Sequence, residues 1–137
     1  LLLVVPSTSI AETKPAALPL EVSASCERKA TKGRVLCDVE LESAESRIAW
    51  ADVVVISAPP FAPPLRSRIG LADARARSDR RVRLPVALVA MSLGRGTVAM
   101  RARAVLCRGA SPGAAETCTA TTKDASAEII VGTDVEH

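Results

Sequence analysis

A chain of 137 residues carrying a net charge of +3 is long enough for one hydrophobic core and too short for two ordinary domains. Its only aromatic residues are Trp50 and Phe61, which excludes nucleic-acid modules that stack bases on aromatic platforms. The one histidine is His137 at the terminus, so a serine or cysteine nucleophile lacks its usual base and zinc binding has no support.

Leu1 to Val5 form an apolar run followed by Pro6 and the small-residue pattern Ser9-Ile10-Ala11. Residues 1–11 read as the truncated remnant of a secretory signal, cut after Ala11. Five apolar residues do not span a bilayer, and no transmembrane span is expected in the residues given. Residues 12–19, ETKPAALP, read as a Pro/Ala-rich tether, residues 20–132 as one domain and residues 133–137 as a polar tail.

From Leu20 the pattern alternates. Leu20, Val22, Ala24 and Cys26 share one face of a first strand, and Val35, Cys37, Val39 and Leu41 share one face of a second. The intervening Ala30-Thr31-Lys32-Gly33 reads as a hairpin turn with Lys29 opposite Arg34, which sets Cys26 opposite Cys37. Arg47 to Ser57 is apolar on both faces near its end, as in a strand buried within a packed sheet. APPFAPPL, residues 58–65, then excludes a central strand and leaves an extended edge or corner around Phe61. Residues 66–81 are a polar excursion with one helical turn expected at LADARA. Strands over Val82–Ser92 and Thr97–Cys107, joined by a glycine-rich hairpin at residues 93–96, precede a last strand over Ala127–Val131. The sum is an all-β protein, an antiparallel immunoglobulin-like β-sandwich of about seven strands.

Four cysteines in a short chain behind an export signal read as two disulfides formed in an oxidising compartment, periplasmic or extracellular. Local pairing joins Cys26 to Cys37 and Cys107 to Cys118. Counting back by twos, Cys107 shares its side with Val105, Arg103 and Arg101, so it is expected to face solvent beside arginines. Cys37, Trp50 and Cys107 also lie in the order of the inter-sheet disulfide and packing tryptophan of immunoglobulin domains. That resemblance implies the alternative connectivity, Cys37 with Cys107 and Cys26 with Cys118.

The stretch GTVAMRARAVLC followed by Cys118 and AEIIV, within residues 96–131, resembles the N-terminal immunoglobulin-like domain of bacterial periplasmic thiol–disulfide interchange reductases. The resemblance implies a redox pair, Cys107 and Cys118.

Between Arg66 and Arg108 stand eleven arginines against Asp73 and Asp79. Arg66, Arg68, Arg75, Arg77, Arg80, Arg81 and Arg83 are the candidate anion-binding set, with a polyanion as partner; a solvated basic face is the default for such a run. Glu40 and Glu42 fall on the polar face of a strand, where solvated acids are the default, and GRGT at Gly94–Thr97 is not a nucleotide-binding pattern. No catalytic residue, cofactor or metal is therefore expected. The reading is an exported non-enzymatic interaction or structural module with a protein partner, Phe61 and its prolines being the exposed apolar candidate; the alternative is a periplasmic thiol–disulfide exchange domain.

Overall fold

Alternation of apolar and polar side chains builds the first sheet. In β1 (Leu20–Cys26) and β2 (Gly33–Ser43) every second residue turns inward, and Val35, Cys37, Val39 and Leu41 are wholly buried. The same period runs through β6 (Arg81–Ala90), where Val82, Leu84, Val86 and Leu88 are buried. A two-residue strand, β5 (Ala76–Arg77), completes the order β1-β2-β6-β5. The second sheet takes β3 (Arg47–Ser57), β4 (Arg68–Gly70), β7 (Gly94–Arg108) and β8 (Thr117–Val131) in the order β4-β3-β7-β8. All strand pairs are antiparallel. The computed structural model describes residues 19–109 and 115–132; the segments read as a signal remnant and a polar tail, and nearly all of the one read as a tether, lie outside them.

This strand allotment is that of an immunoglobulin-like sandwich, with β4 as a short additional strand beside β3. The core between the sheets is aliphatic. Leu41, Ile69, Leu84, Leu88, Met100, Leu106 and Ile129 are its largest buried side chains among the described residues, each stabilising the fold by about 1.5–3 kcal/mol relative to exposure.

Four local expectations are corrected. Lys29 does not pair with Arg34: it leaves the hairpin and bridges Val131 at the end of β8, its N–H donating to Ile130 O at 3.3 Å. This contact, with Lys123 Nζ donating to Leu20 O at 3.1 Å, ties together the neighbouring β1 and β8 edges. The polar excursion carries the expected helical turn, as a 3-10 turn over Leu71–Asp73, but also two unexpected short strands, β4 and β5. β8 begins ten residues before Ala127, because its first part is an edge paired only to β7 and mostly solvent-exposed, so no apolar alternation marks it.

The fourth correction concerns β6 and β7, which lie in different sheets, so residues 91–93 turn a corner between sheets and do not close a hairpin. Gly94 and Gly96 serve packing there. A Cβ on Gly94 would stand 3.0 Å from the Phe61 ring, and one on Gly96 would stand 2.8 Å from Cβ and Cγ of Pro59. The positive-φ glycines described are Gly33 and Gly132; Gly33, at φ +132°, occupies backbone that L side chains rarely adopt. A proline ring has no alternative rotamer to retreat into, so Gly96→Ala is expected to cost about 1–3 kcal/mol. Gly109→Ala, with no atom within 4 Å of the added carbon, is the matched control. Equal melting temperatures for the two variants would contradict the close approach.

The proline segment runs along the outer edge of β6, as its composition predicts. Leu65 N donates to Ala87 O, Val89 N to Pro63 O and Met91 N to Phe61 O, at 2.7–2.9 Å. Pro85, which has no N–H, falls in the gap between these bonds and the one from Arg75 N to Arg83 O, so the edge loses no donor there.

Candidate interaction surfaces

Each sheet carries one disulfide between neighbouring strands. Cys26–Cys37 joins β1 to β2 and Cys107–Cys118 joins β7 to β8, with Cα separations of 3.9 and 4.0 Å. Cys37 points into the core. Cys107 lies on the outer face of the second sheet, since Leu106 takes the inward position. The two therefore cannot join across the sandwich, and local pairing holds.

The expected solvent exposure of Cys107 is corrected as well. It shares a face with Arg101, Arg103 and Val105, yet it is only 3% exposed. Its neighbour on β3 is Arg47, whose guanidinium donates to Glu116 Oε1 at 2.7 Å. That ion pair spans from β3 to the residue preceding β8, on the side where Cys107 lies. The Glu116 carboxylate is within 4.8 Å of both sulfurs. The paired Arg47 and Glu116 thus set one charge of each sign beside the disulfide. Cys118 is exposed and remains the accessible sulfur. The cluster Cys107, Glu116 and Cys118 has the residue types of a metal site, but its two sulfurs are bonded to each other.

Trp50 departs from the immunoglobulin pattern. A bulge between Ile48 and Trp50 shifts the alternation of β3, so that Ile48, Ala51 and Val53 face the core while Trp50, Asp52 and Val54 face outward. Asp52 nevertheless has no exposure. It is flanked by Arg103 on β7 and reached by Arg68 from β4. Arg103 Nε donates to Asp52 Oδ1 at 2.8 Å and Arg103 Nη2 donates to Oδ2, which also accepts from Arg68 Nε at 2.6 Å. The Trp50 ring stands beside them, its centroid 6.0 Å from the Arg68 and 5.9 Å from the Arg103 guanidinium carbon, within cation–π range. Burial pushes the Asp52 carboxyl up, but the hydrogen bonds and charges of Arg103 and Arg68 outweigh it and hold the group below its ordinary range. Sequence reasoning missed this cluster. The available signal was a single acid, Asp52, inside the apolar run IAWADVVVI.

The arginine run does not share one face. Arg68 belongs to the Asp52 cluster. Arg81 and Arg83, on the outer face of the first sheet, meet Glu40 at 2.9 and 3.6 Å, and Arg81 also meets Glu42 at 2.8 Å. Arg66 pairs with Asp73 at 3.1 Å, Arg75 with Asp38 at 3.9 Å, and Arg80 donates to Ala44 O at 3.3 Å. Arg77 is exposed, with no ion pair among the described residues. Exposed pairs of this kind contribute about 0–1 kcal/mol each.

Phe61 is half-buried, packed against the core and over Gly94, so it is not itself the exposed apolar residue. The exposed large apolar side chains among the described residues are Ile56, Leu65, Met91 and Leu93. Met91 (65% exposed) and Leu93 (60%) lie on the corner between β6 and β7, and Ile56 (49%) lies near the end of β3. The hydrogen bond from Met91 N to Phe61 O anchors the corner to the proline segment. An apolar tip thus sits on a rigid base.

No family model and no curated protein matches this chain. Among solved structures, one concerning fibronectin binding and biofilm formation by AAF fimbriae of enteroaggregative Escherichia coli is similar over 82% of this chain and 99% of that one. The identity is 14% and the TM-score 0.38. The fold assignment rests on the strand order itself.

Proposed function

We propose that this protein is an exported, non-enzymatic interaction module that engages a protein partner through its apolar tip. The observation that carries this reading is the exposure of Met91 and Leu93 on one corner, beside a half-buried Phe61 whose carbonyl accepts the Met91 N–H. Large apolar side chains held on an exposed corner gain free energy when a partner covers them. Two disulfides support export, since such bonds persist in oxidising compartments. Cys107–Cys118 acts in this reading as a staple of the β7–β8 pair.

The test is site-specific photocrosslinking in cells that make the protein. A benzophenone side chain at Leu93 is expected to give a discrete protein adduct, and the same group at Thr119, on the exposed polar edge of β8, is expected to give none. Met91→Ser should abolish the adduct formed from a benzophenone at Leu93, while stability changes by no more than about 0.5 kcal/mol. Adducts that are absent from Leu93, or equal from Leu93 and Thr119, would remove the tip from the mechanism.

A further inference from the structure

We propose that Arg68, Arg103 and Trp50 form a second binding site, distinct from the apolar tip, for a carboxylate presented by a peptide segment of a partner protein. The buried Asp52 leaves an organised excess of donors above it. Among the described residues Arg68 gives only Nε to Asp52, which leaves both of its terminal nitrogens for a ligand, and Arg103 keeps Nη1. The two side chains are 56% and 43% exposed. Their shared carboxylate fixes where the guanidinium planes point before any ligand arrives, which removes much of the ordering cost of binding. A guanidinium fork matches a carboxylate in geometry as well as charge.

Charge complementarity selects the ligand. The two central rows of this outer face hold Arg68, Arg101 and Arg103 against Asp52 and Asp124, because Val54 pairs with Arg68 and Arg101, Asp52 with Arg103, and Arg101 with Asp124. Arg101 is spent on Asp124, with Nε to Oδ1 at 2.8 Å. Arg47, farther along, is spent on Glu116. One positive charge is in excess, which suits a single carboxylate and gives a dense polyanion nothing more to neutralise. Half-buried Val105 stands beside Trp50 in the next row and Val54 on the other side, so a carboxylate flanked by apolar residues finds contact on both sides. The site lies on an open sheet face, where an extended peptide fits. Tryptophan and arginine are the residues that most often dominate such interfaces.

Trp50 is the only tryptophan, so its fluorescence reports this site alone. The probes are the peptide acetyl-Ala-Val-Glu-Val-Ala-amide and its Glu→Gln counterpart, titrated at low salt. The expected result is a saturable change with the glutamate peptide and an affinity weaker by about tenfold or more with the glutamine peptide. Arg68→Gln should produce a similar loss, because it leaves Asp52 paired to Arg103; Arg68→Lys, which keeps the charge without the fork, should fall between. Arg77→Ala, in the same basic stretch but outside the cluster, should bind as the parent does. The indole N–H resonance of Trp50, followed in the same titrations, confirms that each variant is folded. Equal response to both peptides, no response, insensitivity to Arg68→Gln, or alginate outcompeting the glutamate peptide would each overturn the proposal.

Discussion

Replacing Arg68 and Arg103 together with alanine should destabilise the protein by about 1–3 kcal/mol near neutral pH, since Asp52 loses both of its charge-assisted hydrogen-bond partners and the outward-facing carboxylate is left to water. Either single replacement should cost much less than half of that, because Asp52 keeps one guanidinium. The strong non-additivity is itself part of the expected result. The pH dependence separates lost charge pairing from lost packing. In the parent the Asp52 carboxyl is held below its ordinary range, so its contribution is present above the unfolded-state value of about 3.9 and is lost as pH falls through the lower folded value. In the double variant the carboxylate has lost both partners and the side chains that covered it, so it titrates much as in the unfolded chain and adds no pH-dependent stability. The gap between the two proteins in urea unfolding should therefore be widest near neutrality and narrow on acidification. A constant gap would assign the loss to packing of the arginine stems.

Removing the first-sheet disulfide by Cys26→Ala with Cys37→Ala should cost about 2–4 kcal/mol and lower the melting temperature by on the order of 10 °C. The bridge closes a loop with a sequence separation of 11, and the Cys37 side is wholly buried. The second disulfide spans the same separation but presents an exposed Cys118, so mild dithiothreitol should open Cys107–Cys118 first and leave the domain folded. Alkylation after graded reduction and peptide mapping will give the order. A reduction potential below about −300 mV is the expected value for a staple. A potential at or above about −270 mV would instead favour a redox role for the pair.

Much of this architecture was legible in the chain. The period-two pattern of Leu20 to Leu41 and the cysteines at 26 and 37 fix the first hairpin and its register, since a slip of one residue would turn Val35, Cys37, Val39 and Leu41 to solvent. The prolines from 59 to 64 determine an edge segment because they cannot donate to a ladder. Other features have no local signature. The upstream part of β8 is exposed on both faces, so nothing in its side chains distinguishes it from a loop. Gly94 and Gly96 look like turn glycines, and only the approach of Phe61 and Pro59 from another segment shows why side chains are excluded there.

The sequence by itself determined an all-β, disulfide-bearing domain, because alternation, proline placement and cysteine spacing act over a few residues. The tertiary structure alone decided the surface chemistry. One bulged residue ahead of Trp50 turned the tryptophan and Asp52 outward, and two arginines distant in sequence then buried that carboxylate. Likewise, Arg47 and Glu116, 69 residues apart, meet on the side where Cys107 lies. Pairing between charges so far apart depends on which strands become neighbours, and that is settled only when the two sheets close on a shared core.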